Sequence, residues 1–172
     1  MSSPTQADAL AQYSKFKFVC IPLNGKVPFF KKWTEVDHTP KEANVFHRHN
    51  IGILTGKISK LTVLDIDIQD DGVATWNKIK KLYPEFKTPM VSTPNKGYHL
   101  YFKYNSKLSS TSKLHLNGQT IGWDLLNNGR QVTTVPSVLY GKKYKWINSL
   151  EDTPLIKMPQ WLENYILLLK SN

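Results

Sequence analysis

Two aspartates, Asp65 and Asp67, are the residues best placed to do chemistry, and they lie in residues 62–68 (TVLDIDI). Apolar and acidic residues alternate there and β-branched residues are frequent, a pattern that predicts a β-strand. Side chains two residues apart on a strand share a face, roughly 7 Å apart along the chain. Neighbouring carboxylates repel each other unless a cation lies between them, and oxygen ligands favour magnesium or manganese. The pair therefore predicts a divalent metal site, and a solvated acidic face on an edge strand is the alternative.

Two further polar residues on predicted strands could complete this site. Asp124 interrupts the otherwise apolar residues 120–126, and a buried aspartate needs a partner. His99 lies within residues 98–104, although a lone histidine on a strand is more often a structural residue. A third carboxylate beside the first pair would complete a two-metal site, in which the ions bridge the attacking and leaving oxygens of a nucleotidyl transfer.

Cationic residues are the next requirement, because negative charge develops on a pyrophosphate leaving group. Lys96 lies in the turn before the His99 strand, where simple exposure is the alternative, and Arg130 follows the Asp124 strand. Residues 23–33 combine three lysines with three aromatic residues, as in surfaces that hold phosphates and stack on bases. The alternative there is an apolar staple with its lysines in solvent. The predicted nucleic-acid-binding residues of this segment are Lys26, Lys31, Lys32 and Trp33.

The overall charge supports a polyanionic partner. The 172 residues carry a net charge of +10, so nucleic acid is the first candidate and a membrane surface the second. No apolar run approaches the ~20 residues of a membrane span, and the N-terminus lacks the features of a signal peptide. The single cysteine, Cys20, cannot form an internal disulfide. We therefore expect an intracellular chain without membrane association.

The elements that must position these residues form a predicted α/β (α+β) fold, one unit over residues 1–172 with two lobes as an alternative. On the Asp65 strand, Leu64, Ile66 and Ile68 should face the core. Residues 51–55 should form a strand beside the Asp65 strand, 131–135 should form a hairpin with 120–126, and 105–120 should be a loop. The other predicted strands are 16–21, 90–93 and 144–147, and the predicted helices are 8–17, 39–49, 73–83 and 159–169.

In this order the motifs resemble the archaeo-eukaryotic primase superfamily, and more narrowly its bifunctional primase–polymerase domains. The resemblance spans roughly residues 18–147. Such domains lie at the N-terminus of replication proteins of plasmids, phages and large DNA viruses, often ahead of a helicase. The matching segments are GKVP at 25–28 before Trp33, NIGILTG at 50–56, LDID at 64–67, GYHLYF at 97–102, and WDL at 123–125 through GR at 129–130 to VPS at 135–137.

The resemblance also implies an architecture and residue roles. The fold would have an N-terminal α/β lobe and a C-terminal lobe resembling an RNA-recognition module, around a mixed or antiparallel sheet with the active site in the cleft. Asp65, Asp67 and Asp124 would hold two Mg²⁺ or Mn²⁺ ions, and His99 would contact the phosphates of the incoming nucleotide. Lys96 and Arg130 are our own additions as phosphate or template contacts. The predicted nucleotide-binding residues are His99, Lys96, Gly97, Arg130 and Ser137.

The implied function is that of a template-directed DNA primase/polymerase. It would bind a single-stranded DNA template and join NTP or dNTP by in-line attack of a 3′-hydroxyl on the α-phosphate, beside a helicase domain or partner in a larger protein. A phosphatase of the haloacid dehalogenase type is disfavoured, because Ile68 and Gln69 follow the Asp pair where that family has Gly-Thr. A non-catalytic nucleic-acid-binding module is disfavoured as well, because without metal its three acidic residues would repel the phosphates of the nucleic acid. A metal-dependent nuclease would use the same carboxylates and stays open.

Overall fold

The computed structural model describes residues 3–35 and 43–170, which form an α/β fold built on antiparallel sheets. The helices are α1 (Gln6–Lys15), α2 (Gly72–Ile79) and α3 (Gln160–Lys170). The strands are β1 (Cys20–Leu23), β2 (Asn50–Leu54), β3 (Leu61–Ile66), β4 (Met90–Ser92), β5 (Tyr98–Lys103), β6 (His115–Leu116), β7 (Gln119–Thr120), β8 (Trp123–Leu126), β9 (Gln131–Thr134), β10 (Val138–Leu139), β11 (Lys142–Lys143) and β12 (Lys145–Asn148). Among these residues no helix is long and apolar enough to span a membrane.

The largest sheet has five antiparallel strands in the order β12-β4-β5-β3-β8, so β3 lies between two partners. Alternate residues of β3 face opposite sides of this sheet. Leu64 and Ile66 pack with Trp76 of α2 and with α3 in one hydrophobic cluster. On the other face, Val63 and Tyr101 belong to a second cluster, which includes side chains of α1 and of the three-stranded sheet β1-β2-β9. The central sheet is therefore covered on both faces.

A buried hydroxyl network joins α1 to the sheets. Tyr13 is 0 % exposed, and its hydroxyl donates to the carbonyl of Val135 and lies 3.0 Å from Thr134 Oγ1. The hydroxyl of Tyr101 donates to the same Thr134 oxygen at 2.8 Å. Burial raises the pKa of both tyrosines, so both stay protonated as donors.

We expect Tyr13→Phe to lower the free energy of unfolding by about 1–3 kcal/mol, because it leaves buried acceptors without their donor. Urea denaturation monitored by circular dichroism measures the loss. Tyr140→Phe is the matched control, since Tyr140 is 88 % exposed. Equal stability of the two variants would contradict a role for the network.

The pairing of two predicted strands is wrong. β2 does not lie beside β3 in one sheet but pairs with β1 and β9, and β9 is not the hairpin partner of β8. The outer edge of β8 is instead occupied by the segment that precedes it: Thr111 exchanges backbone hydrogen bonds with Leu125, and Leu114 N donates to the carbonyl of Trp123. With both edges of β8 paired, the chain after it crosses to the other sheet. Asp65 nevertheless lies inside a sheet, as predicted, because β5 and β8 flank β3.

Several element bounds also differ from the predictions. β1 starts at Cys20 and includes Pro22, which is tolerated because β1 is an edge strand. Ile68 lies beyond β3 and is 49 % exposed instead of facing the core, and α2 ends at Ile79 instead of reaching residue 83. Residues 105–120 contain the β6–β7 hairpin. The predicted helix start at 39–42 lies outside the described residues, and Ala43–Phe46 forms a short 3-10 helix.

The predicted fold class is confirmed as α/β with antiparallel sheets. The five-stranded sheet combines β3, β4 and β5 with β8 and β12 from later in the chain. A separate C-terminal lobe resembling an RNA-recognition module therefore stays a prediction.

Candidate active site

Three of the predicted site residues form one row across the central sheet. Asp65 on β3 lies directly opposite His99 on β5 and directly opposite Asp124 on β8. Directly opposed residues of antiparallel strands project from the same face. His99 Nε2 lies 3.4 Å from Asp65 Oδ1. The register of these three strands thus brings residues 65, 99 and 124, which are far apart in the sequence, to neighbouring positions.

Asp67 joins this row at the end of β3. Its backbone N–H donates to the carbonyl of Gly122 at 2.8 Å, which extends the pairing between the two strands. Asp65 and Asp67 both line a pocket of about 160 Å³. The pocket lies on the sheet face opposite α2 and α3. Its lining residues are Lys26, Asp65, Asp67, Thr93, Pro94, Asn95, His99, Leu126, Gln131, Val132, Thr133, Leu139 and Tyr144.

The electrostatics of the pocket disfavour a negative charge on Asp67. Partial burial raises the pKa of this carboxyl, and the negative charge of Asp65 raises it further. Lys26 opposes the shift, whereas Asp124 adds to it. A carboxylate that is partly desolvated, although its oxygens still reach solvent, and next to like charges is in an environment that a bound cation relieves.

The donor set fits a divalent cation at two of the three carboxylates. Asp65 has a 28 % exposed side chain and Asp67 is exposed, so their oxygens reach the pocket. Asp124 lies outside the pocket lining, and its Oδ1 accepts a hydrogen bond from the backbone N–H of Lys113 at 2.6 Å. In the described part of the chain, no three or more His, Cys, Asp or Glu side chains are grouped so that they could hold a metal ion. The predicted three-carboxylate set is thus aligned in register but not gathered at one point.

Two buried polar atoms of pocket residues have no hydrogen-bond partner among the described residues. They are Nδ1 of His99 and Oε1 of Gln131. Buried polar atoms are almost always paired, so these two atoms are exceptions. Gln131 was not among the predicted site residues. Its Nε2 donates to the carbonyl of Lys26 at 3.0 Å, so it also fixes the basic residue of the pocket.

Tyr144 is another pocket residue that sequence reasoning missed. Burial, together with the nearby charge of Asp65, raises the pKa of Tyr144 to about 12. The phenol is therefore neutral at physiological pH and can donate a hydrogen bond. Its sequence context (KKYK) carries no signal for a site, because Tyr144 lies between β11 and β12 and is placed by a long-range contact, the hydrogen bond from its backbone N–H to the carbonyl of Ser137 at 3.0 Å.

Three glycines allow the close backbone approaches that hold the end of β3. A Cβ on Gly97 would overlap the carbonyl oxygen of Ile66, directly before Asp67. Gly122 has a positive φ of 67°, and a Cβ there would overlap the carbonyl oxygen of Gln69. A Cβ on Gly72 would overlap the carbonyl oxygen of Asp67 itself. Gly97 was among the predicted site residues, whereas Gly72 and Gly122 were missed.

The other predicted site residues lie outside the pocket lining. Lys96 and Arg130 are exposed, and so are Lys31 and Lys32. Of the predicted cationic residues, the pocket thus includes Lys26.

Two further predicted site residues have their side chains engaged elsewhere. The Ser137 hydroxyl is buried, accepts from Ile51 N–H at 2.9 Å and lies 3.3 Å from the Ile51 carbonyl, so it is bonded away from the pocket. Trp33 packs against the cluster of Ile21, Leu23 and Leu54, which supports the apolar-staple alternative for this residue.

The sequence matches a known family model over most of its length. The family is described as bifunctional DNA primase/polymerase, N-terminal (Prim-Pol), and the match covers residues 9–161. No curated protein matches the chain.

Proposed function

We propose a nucleotidyl-transfer function for this chain, because it belongs to the bifunctional DNA primase/polymerase (Prim-Pol) family. The family suggests primase and polymerase chemistry in general. We propose specifically that this chain extends a 3′-hydroxyl on a single-stranded DNA template with NTP or dNTP. The observation that carries the proposal is the row of His99, Asp65 and Asp124 across three paired strands, with Asp67 and Lys26 in the adjoining pocket.

In this proposal each pocket residue has a separate task. Asp65 and Asp67 would hold Mg²⁺ or Mn²⁺, with Asp124 as the third acidic group of the row. The metal would supply charge neutralisation at the reacting phosphate and at the leaving pyrophosphate. Lys26 would bind a phosphate oxygen, and His99 would contact the phosphates of the incoming nucleotide. Tyr144 would remain a neutral donor.

Lys26→Ala tests the phosphate contact. We expect KM for the nucleotide to rise about tenfold with a smaller change in kcat, because a charge-assisted contact to a phosphate contributes on the order of 1–3 kcal/mol. The measurement is steady-state incorporation against nucleotide concentration. Lys31→Ala is the control, since Lys31 is exposed and lies outside the pocket. An unchanged KM in Lys26→Ala would remove Lys26 from the site.

The proposed function is tested by nucleotide incorporation on single-stranded DNA, with Mg²⁺ or Mn²⁺ and with or without a primer. Metal-dependent extension of a primer would establish a polymerase, and products without a primer would establish a primase. Shortening of the template would instead establish the nuclease alternative. Binding to DNA without any product would contradict nucleotidyl transfer by this chain and favour a binding module.

A further inference from the structure

Two neighbouring turns form an exposed rim beside the pocket. One is the turn of residues 24–29, which includes Lys26, and the other is the β10–β11 hairpin of residues 138–143. The pocket lining includes Lys26 from the first turn and Leu139 from the second. A Cβ added to Gly25 would lie 3.5 Å from Leu139 Cδ1, so the two turns are in van der Waals range.

Asn50 joins the two turns through hydrogen bonds to both. Its Nδ2 donates to the carbonyl of Gly25 at 2.7 Å and to the carbonyl of Val138 at 2.8 Å. Its Oδ1 accepts from the backbone N–H of Val138 at 3.1 Å. Gln131 holds the first turn from the pocket side through its bond to the Lys26 carbonyl. The rim is therefore a fixed surface, although both turns are exposed.

The surface of the rim combines aromatic rings with lysines. Tyr140, at the tip of the hairpin, is 88 % exposed, and Phe29 is 50 % exposed and stacks on His49 with ring centroids 4.7 Å apart. The aliphatic side chains of Val27 and Val138 are 60 % and 42 % exposed. Lys142 and Lys143 follow the tip, and residues 138–145 (VLYGKKYK) contain no acidic residue. Exposed apolar groups beside clustered charge mark an interaction surface.

We propose that this rim binds single-stranded nucleic acid at the mouth of the pocket. One base stacks on Tyr140, and the phosphates that flank it lie against Lys142 and Lys143. Single strands suit this surface because their bases are free to stack and their backbone is polyanionic. The inference rests on the proposed function only for the role of the bound strand in the reaction.

The test is fluorescence anisotropy with a labelled single-stranded oligothymidylate, at salt concentrations of about 50 to 200 mM. Tyr140→Ala should weaken binding about five- to tenfold, whereas Tyr140→Phe keeps a stacking ring and should stay within about twofold of wild type. The Lys142→Ala/Lys143→Ala variant should reduce the slope of log Kd against log salt by about 1.4, or 0.7 for each lost phosphate contact. Exposed positions make all three variants compatible with the fold.

The matched control is Lys80→Ala/Lys81→Ala, which removes the same charge from the segment after α2, on the other side of the central sheet. Wild-type affinity in Tyr140→Ala would contradict binding of single-stranded nucleic acid at the rim. An equal reduction of the slope of log Kd against log salt in the control would contradict it as well. Asn50→Ala should weaken binding as Tyr140→Ala does, because the two turns separate. If the wild-type chain binds DNA through the rim but incorporates no nucleotide, the proposed function is contradicted, whereas the proposal that the rim binds single strands still holds.

Discussion

Asp65→Asn/Asp67→Asn is expected to abolish nucleotide incorporation, with a loss of at least about 1,000-fold, or about 4 kcal/mol of transition-state stabilisation. The two side chains keep their size but lose the charge that would hold a divalent cation beside the reacting phosphate. Both carboxylates line the pocket, and Asp65 is the centre of the row that includes His99. Primer extension under single-turnover conditions measures the loss. Glu151→Gln, at an exposed position, removes an acidic charge elsewhere and should keep full activity.

The same substitution has an opposite effect on stability, which separates loss of chemistry from loss of fold. The pKa of Asp67 is raised in the native state by burial and by Asp65, so the native state binds protons more readily than the unfolded chain. Stability conferred by this group is present below its ordinary pKa and falls as pH rises through the raised one. At pH 7, without divalent metal, the double variant, which lacks this carboxyl group, should therefore melt at a higher temperature than wild type. A lower melting temperature would contradict the repulsion between Asp65 and Asp67.

Divalent metal should reverse this order. Mn²⁺ or Mg²⁺ should raise the melting temperature of wild type and leave the double variant unchanged, because only the wild type has the paired carboxylates. An inactive double variant that still gains stability from the metal would place the metal at other residues.

The local pattern of β3 was sufficient to predict how its two aspartates are arranged but not what surrounds them. Alternation within residues 62–68 predicted the strand and the shared face of Asp65 and Asp67, and both line one pocket. Which face His99 takes could not be read from its own strand, since residues 98–102 are apolar on both sides. The order of motifs along the chain implied that His99 and Asp124 accompany Asp65, and the strand register places all three in one row.

The walls of the pocket could not be predicted, because they come from long-range pairing. Gln131 reaches it on β9, which pairs with β2, and Tyr144 reaches it from between β11 and β12, where its backbone N–H donates to the carbonyl of Ser137. The predicted β8–β9 hairpin would have placed Gln131 elsewhere. It failed because residues 111–114 already pair with the edge of β8, and this segment had only the composition of a loop. Turn chemistry identifies where a chain bends, but not which strand it joins next.

Gly122→Ala is expected to cost at least about 3 kcal/mol of folding free energy and to remove activity, a larger effect than its position outside the pocket suggests. Two costs add there. The residue has a φ of 67°, and its new Cβ would overlap the backbone carbonyl of Gln69, which cannot move like a flexible side chain. Relief of the overlap would have to shift the Gly122 carbonyl, which holds the backbone N–H of Asp67 at 2.8 Å.

Gly129→Ala separates the two costs, because Gly129 has a similar φ of 78° with nothing within 4 Å of the added Cβ. It should lose only the cost of a left-handed backbone for alanine, about 1–2 kcal/mol, and keep its activity. Urea denaturation and primer extension at a temperature where both variants are folded give the comparison. If Gly122→Ala is no less stable than Gly129→Ala and equally active, the close approach of residues 69 and 122 does not position Asp67. If it is folded but inactive, the placement of the Asp67 carboxylate depends on the hydrogen bond that its backbone N–H donates to the carbonyl of Gly122, and the proposed site depends on the backbone as well as on side chains.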